Sequence, residues 1–298
     1  MDQTITYKAV TITIRRDDLL HKFISGNKFR KLKYNIAHAQ NNHANGIITF
    51  GGAFSNHIAA TAAAGAKYNI PTVGVIRGEE WQNKIESNPT LNLASQNKMK
   101  FHFVTREAYK NRNTIEFINE IQQLYPDFYL IPEGGSNALA IKGCEEIINP
   151  ILDSKYAYVC CAAGTGATIS GIANQLAPQQ IAIGFAALND FSMLESINLW
   201  TQNKKCQLLI NFDYNFGAYA KINDDLIRFI NEFFNKFEIP LDPIYTGKMF
   251  YGIFDLIDKK IIPPHSEVLA IHTGGLQGID GINKKLINKN KEIIKVVF

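Results

Sequence analysis

Residues 156–163, Tyr-Ala-Tyr-Val-Cys-Cys-Ala-Ala, form a nearly continuous apolar run without period-two alternation. A strand of that kind is buried on both faces, which requires a parallel sheet with helices covering each side. The rest of the chain has the matching rhythm: short β-rich runs alternate with helical patterns, and no internal repeat or low-complexity linker interrupts them. The pattern predicts strands over 10–15, 46–50, 72–76, 100–104 and 128–131. Helices are expected over 27–40, 56–67, 89–97 and 114–124. Beyond a turn at 132–136 come a helix over 138–152, the buried strand, a helix over 169–176, strand 181–187, helix 192–203 and strand 207–210. Helices over 223–236 and 249–259 and a strand over 267–272 complete the set. The expected fold is α/β, with two open, twisted, mostly parallel sheets flanked by helices. Residues 1–42 and 141–298 are expected to form a large domain, and 43–140 a small one.

Charge and composition exclude several function classes. A formal charge of +4 over 298 residues, with no Lys/Arg run interleaved with aromatics, gives no nucleic-acid surface. No apolar stretch approaches a membrane span, and Met1-Asp2-Gln3-Thr4 lacks the basic and apolar regions of a signal peptide, so a cytoplasmic enzyme is expected. Cys144, Cys160, Cys161 and Cys206 lack metal-ligand spacing and read as reduced core residues; no metal is expected.

The chemistry begins at Ser25-Gly26-Asn27-Lys28-Phe29-Arg30-Lys31-Leu32. Gly26 breaks the chain after a strand, and Asn27 suits the N-cap of the next helix. Lys28 then lies at a helix N-terminus, where the dipole disfavours a cation, and Arg30 and Lys31 add like charge. Each effect lowers its pKa, and a neutral amine can attack a carbonyl to form a Schiff base. Alone, the stretch reads first as a solvated basic helix start, and only the motifs that follow reverse that reading.

Five glycine-bearing turns follow predicted strands, at the carboxyl edge where open parallel sheets bind ligands. In Gly51-Gly52-Ala53-Phe54-Ser55-Asn56-His57, backbone amides and the Ser55 hydroxyl suit a carboxylate, although Ser55-Asn56 is also an ordinary N-cap. Gly164-Thr165-Gly166-Ala167-Thr168 outlines a phosphate cradle without the Gly-Lys-Ser/Thr ending of a nucleoside-triphosphate loop. Ile169 occupies the third glycine position of a dinucleotide fingerprint, while Asp190 could mimic a ribose-binding acid, so a nicotinamide-dinucleotide oxidoreductase stays open as an alternative. The other turns are Glu133-Gly134-Gly135-Ser136-Asn137, Tyr245-Thr246-Gly247-Lys248 and His272-Thr273-Gly274-Gly275-Leu276. An activated lysine, a phosphate cradle and a carboxylate-holding turn together suit pyridoxal phosphate carrying an amino acid.

These motifs, together with Arg16-Asp17-Asp18-Leu19 and Asp242-Pro243-Ile244-Tyr245, occur in an order that resembles the pyridoxal-phosphate enzymes containing D-cysteine desulfhydrase and 1-aminocyclopropane-1-carboxylate (ACC) deaminase. The resemblance implies a tryptophan-synthase-β-like fold, a homodimer, and lyase or hydrolase chemistry on a small amino acid. It implies that Lys28 carries the cofactor and shuttles the α-proton, and that Asn56 bonds the phenolic oxygen. Lys31 and Gly164, Thr165, Gly166, Ala167 and Thr168 would hold the phosphate. Ser55, Asn56, His57 and Gly135 would line the substrate, and Tyr245 and Tyr219 would be the two active-site tyrosines. Compared with the family, the segment before Ala9 is short.

Thr246 would face the pyridine nitrogen, where the deaminase branch is expected to carry a glutamate. A neutral hydroxyl protonates that nitrogen poorly and weakens the electron sink, which favours β-elimination over opening a ring that has no α-hydrogen. The expected reaction is D-cysteine to pyruvate, ammonia and hydrogen sulfide. The alternatives are ACC to 2-oxobutyrate and ammonia, or a cofactor-binding protein without catalysis.

Overall fold

The computed structural model describes residues 2–202, 204–217 and 221–295. One sheet has six strands in the spatial order β1 (Asp2–Tyr7), β2 (Val10–Arg15), β10 (Glu267–Ile271), β7 (Tyr158–Ala163), β8 (Ile181–Ala186) and β9 (Gln207–Asn211). All its pairings are parallel except β1 with β2. The second sheet is wholly parallel, in the order β5 (Lys100–Val104), β4 (Thr72–Arg77), β3 (Gly46–Gly52) and β6 (Phe128–Ile131).

Burial explains the apolar run that opened the argument. On β7, Cys160 and Ala162 join Ile12, Ile183 and Val268 beneath α8 (Asp224–Phe237), α9 (Thr246–Asp258) and α10 (Ile279–Ile287). Val159, Cys161 and Ala163 face the opposite way, against α5 (Ala138–Glu145), α6 (Ala167–Gln175) and α7 (Met193–Trp200). Both faces are therefore dry, as helices on both sides of a parallel sheet require. All four cysteines are free and buried in this core.

The smaller sheet lies under α1 (Asn27–Asn41) and α2 (Asn56–Tyr68) on one side, with Leu32, Ile36, Ala60 and Ala63 meeting Ile47 and Ile131. On the other, α4 (Ile115–Leu124) sets Phe117 and Ile121 against Ile48, Phe50 and Val75. Helix α3 (Pro89–Gln96) packs Leu91 and Ala94 near Ile58 and Ile76. We propose residues 43–140 as the small domain, supported by strands β3 to β6 all falling within it. Helix α1 precedes that segment yet packs its apolar face on this sheet, so it joins the two units.

Three elements differ from the sequence expectation. Residues 2–7 form β1, whose only buried side chain is Ile5, too little apolar signal to mark a strand. Helix α5 stops at Glu145 and does not reach 152. Pro150 disfavours helix at Asn149, whose side chain turns back to accept from the amides of Ile151 and Leu152. Asp153 is drawn instead into a bidentate pair with Arg15, at 2.7 and 2.9 Å. Finally, Ile279, Ile282 and Leu286 bury one face of α10, a helix beyond the last element expected.

Gly143 fixes how α5 meets α1: a Cβ there would lie 2.0 Å from the Arg30 carbonyl oxygen. Because that contact is backbone, the helices must separate to admit it. Gly143→Ala is expected to lower the unfolding free energy by about 1–3 kcal/mol in urea denaturation, the usual cost of overpacking.

Candidate active site

Turns from both sheets converge on the start of α1. Gly26, at φ +62°, is its N-cap, and Asn27 is the first helical residue rather than the cap. The difference has a cause: a Cβ at Gly26 would lie 1.9 Å from the Thr273 carbonyl oxygen. Only glycine allows that approach, which lets the Asn27 amide donate to the same carbonyl at 3.2 Å. The Asn27 side chain is thereby free to bridge. Its Oδ1 accepts from Lys28 Nζ at 3.1 Å, and its Nδ2 donates to Thr168 Oγ1 at 2.9 Å.

Lys28 has its pKa lowered from 10.5 to about 7, chiefly by burial and next by the Lys31 cation. Arg30 does not contribute as expected. Its guanidinium turns outward and grips Asp17 in a two-pronged pair at 3.1 Å, which neutralises it. Among the described residues no ion pair gives Lys28 a carboxylate, so burial is not offset by a counter-charge. Lys31 is buried, and burial lowers its pKa. Its Nζ donates to the Gly134 carbonyl at 2.9 Å and approaches Ser136 Oγ at 3.3 Å and Thr165 Oγ1 at 3.5 Å.

Those contacts bring Lys31 to the turn at 164–168. Gly166 adopts φ +86° and starts α6, so the first-turn amides of a helix, two threonine hydroxyls and a buried ammonium meet at one place. That donor set suits a phosphate. A Cβ at Gly164 would meet the Tyr245 ring at 3.3 Å, which sets that ring against the same turn.

Ser55 caps α2, with Oγ accepting from the Ile58 amide at 3.4 Å, as the plain reading of the motif requires. Its hydroxyl hydrogen is not consumed by that bond. Next to it, Asn56 Nδ2 would lie 3.1 Å from a Cβ at Gly275, and Asp242 Oδ1 3.3 Å from the same point. His57 is buried, and Nε2 lies 2.7 Å from Thr49 Oγ1. The Thr49 hydroxyl donates to the Ile131 carbonyl at 2.9 Å, so the threonine oxygen must accept from His57 Nε2. Nδ1 is left as a bare acceptor with no hydrogen-bond partner among the described residues. Burial, then Lys28 and Lys31, push the His57 pKa well below its usual value, so the ring is neutral. A Cβ at Gly135 would come 2.9 Å from that ring, which explains glycine there.

Thr246 is fully buried and bonded to a carboxylate. Its hydroxyl donates to Asp242 Oδ1 at 2.7 Å and accepts from the Asp242 amide at 2.9 Å. A hydroxyl bonded to a carboxylate is not the isolated neutral partner on which the sequence argument for elimination rested. Tyr219 lies outside the described residues. Asp190 is exposed and accepts from the Ser192 amide at 2.9 Å, an ordinary local turn. Two contributors escaped the sequence argument. Asn27 looked like a cap and is a bridge, and Asp242 was quoted within a motif without a role.

The lowered Lys28 pKa has a direct test. In cofactor-free protein, its reaction with a small aldehyde followed by borohydride trapping is expected to rise with pH about a midpoint near 7, because only the neutral amine reacts. Lys31→Met should move that midpoint upward by removing the neighbouring cation, and Lys28→Ala should abolish the trapped adduct when it is mapped by mass spectrometry.

With this geometry in place, the relatives are informative. Residues 5–274 match the model of the family described as pyridoxal-phosphate dependent enzymes. A putative ACC deaminase of Pyrococcus abyssi is 30% identical over 91% of this chain and 86% of its own. The bifunctional mitochondrial D-cysteine desulfhydrase/ACC deaminase of Arabidopsis thaliana is 28% identical, over 89% of this chain and 72% of its own. The crystal structure of an ACC deaminase homologue superposes with a TM-score of 0.78 at 27% identity, covering 93% of this chain and 88% of that one. The chain therefore belongs to the pyridoxal-phosphate-dependent enzymes, in the family of ACC deaminase and D-cysteine desulfhydrase.

Proposed function

We propose that this lyase catalyses α,β-elimination on a small amino acid with a β-leaving group, D-cysteine first, giving pyruvate, ammonia and hydrogen sulfide. The observation that carries the choice is Lys28, an amine with a pKa near 7 whose hydrogen bond goes to a neutral amide. Such a group can take an α-proton at physiological pH. ACC has no α-proton to give.

When bound, pyridoxal phosphate withdraws electrons from the α-carbon of the amino acid it carries. The residues present fit it. Lys28 would hold the cofactor, Asn27 would orient the Lys28 amine, and Asn56 would bond the phenolic oxygen. Lys31, Thr165, Thr168 and the backbone of Gly164, Gly166 and Ala167 would take the phosphate. The first-turn amides of α2, with the Ser55 hydroxyl, would hold the substrate carboxylate. His57 and Gly135 would line the substrate side, Tyr245 would lie against the cradle, and Thr246 would face the ring nitrogen. Hydrolase chemistry is dropped, because the relatives' names describe deamination and desulfhydration.

A second reading, ACC opening to 2-oxobutyrate, has one structural feature in its favour: the Asp242 carboxylate behind Thr246. The Arabidopsis relative is named for both activities. The two readings separate when cofactor-loaded protein receives D-cysteine and ACC in parallel. Pyruvate with sulfide from D-cysteine and no 2-oxobutyrate from ACC is expected, with Lys28→Ala slower by at least about 10²-fold, the scale of a lost general base. Formation of 2-oxobutyrate as the faster product would overturn the elimination reading.

A further inference from the structure

We propose that Phe54 is a positioning residue for the substrate: its ring, seated on Gly281 of α10, holds the turn that ends in Ser55 against the unit built on the larger sheet. Affinity for the amino acid, rather than retention of the cofactor, then depends on this contact. The role rests on the reading of Ser55 and the first turn of α2 as the carboxylate holder, and deepens it by naming what keeps that holder in place.

Two neighbouring side chains pin the turn to two different units. The Ser55 amide donates to the Gly52 carbonyl at 2.9 Å, closing a turn whose middle residues are Ala53 and Phe54. Ala53 is buried with Ile58, Ile76 and Leu91 in the apolar layer beside the smaller sheet. Phe54 instead reaches α10, whose Ile279, Ile282 and Leu286 belong to the core of the larger sheet. A Cβ at Gly281 would lie 3.4 Å from both Cδ1 and Cε1 of the ring, and Lys285 Nζ stands 5.0 Å from the ring centroid. Trp81, packed on the same layer as Ala53, completes an edge-to-face pair with the ring, centroids 5.1 Å apart. The ring is thus gripped from both units.

Its seat continues along a row of glycines. Gly275, Gly278 and Gly281 recur at every third residue through the short turn Leu276–Gly278 and into α10. A Cβ at Gly275 would lie 3.1 Å from Asn56 Nδ2, one at Gly278 3.7 Å from Asn56 Oδ1, and one at Gly281 against Phe54. Ser55 therefore stands in sequence between two residues that both rest on this row. Gly281 lies inside a helix, where glycine is among the poorest formers, and Phe54 is what its missing side chain leaves room for. A methyl there would make ordinary contact with the ring, whereas any longer side chain would enter the space the ring fills.

Substrate affinity follows from this arrangement. An amino acid held at one end through the cofactor, and at the other by Ser55 and the amides of α2, spans the two units. Its binding then depends on how the Ser55 turn is set against the larger unit, and a misplacement of about 1 Å can cost on the order of 10²-fold. The phosphate cradle at 164–168 takes no part in the Phe54 contact, so the cofactor's own anchorage is independent of it. The plain alternative is that the ring only shields α10 and Trp81 from water.

A swap of bulk separates the two. Gly281→Leu drives a side chain into the space of the ring, Phe54→Ala removes the ring, and the double variant refills the gap from the other side. Cofactor-loaded wild type and variants are titrated with D-alanine, which has no β-leaving group, by following the change it causes in the visible band of the Lys28-linked cofactor, with the melting temperature recorded alongside. Each single variant is expected to keep the band and to need about tenfold more D-alanine for half-saturation, within the range that misplacement costs. The double variant is expected to need less than either. Unchanged half-saturation in both single variants, or a double variant weaker than both, would overturn the positioning role while leaving the site reading intact. A wild type without a visible band dependent on Lys28, or with a band that D-alanine does not move, would instead overturn the site reading, and the role with it. If Gly281→Leu fails to fold, Phe54→Ala against Phe54→Tyr decides: tyrosine keeps the ring and is expected to stay close to wild type, and equal weakening in the two would overturn the role.

Discussion

The approach of Gly26 to the Thr273 carbonyl is the contact on which the site depends. It joins the turn leaving β2 to the turn leaving β10, neighbouring parallel strands of the larger sheet, and so sets the height at which α1 begins. Lys28 is the second residue of that helix, so its position follows from this single approach. Around it, a buried ion pair holds the frame: Arg16 grips Asp18 at 2.7 and 2.8 Å, and Asp18 Oδ1 lies 3.2 Å from His272 Nδ1, one residue before Thr273. Breaking such a pair leaves an uncompensated buried charge, a cost of roughly 3–5 kcal/mol. The frame is rigid because its alternatives are expensive.

That rigidity has an electrostatic purpose. Two lysines lie close together in a protected site, and the acceptors they find are amide oxygens and hydroxyls. Without an anion, both ammonium groups lose hydration for little return, which is why burial leads the causes of their lowered pKa values. A dianionic phosphate beside Lys31 would restore the balance and leave Lys28 as the amine that reacts. His57 obeys the same field: two cations nearby and a dry environment hold it neutral. Its bare Nδ1 is therefore an acceptor awaiting a donor.

Much of the fold was legible because parallel strands covered on both faces have an unmistakable apolar signature, and the glycine turns mark where those strands end. What escaped had weak local signals. β1 buries one side chain, and beyond the end of α5 Pro150 and the Arg15–Asp153 pair commit the chain to turns instead of helix. Of the candidate site residues, Lys28, Lys31, Ser55, Asn56, His57, Gly135, Thr165, Thr168 and Tyr245 are found on converging turns, although convergence by itself does not assign their roles. Asn27 was misplaced by one position because only the tertiary contact at Thr273 explains why glycine, rather than a capping side chain, begins the helix.

Thr246 shows the deeper limit of reading residue types one by one. As a letter in the sequence it is a neutral hydroxyl, and chemistry assigned on that basis gives a weak electron sink. Its behaviour is decided by where its hydrogen points, and that depends on Asp242 four residues earlier, brought alongside by the first turn of α9. A hydroxyl that donates to a carboxylate is a better acceptor than an isolated one, because polarisation along the chain of hydrogen bonds places more negative charge on its oxygen. The chemical unit is then the pair, a hydroxyl bonded to the Asp242 carboxyl group. The residue type at 246 therefore does not by itself decide between elimination and ring opening. That decision falls to the groups that handle protons at the substrate carbons, Lys28 before all others.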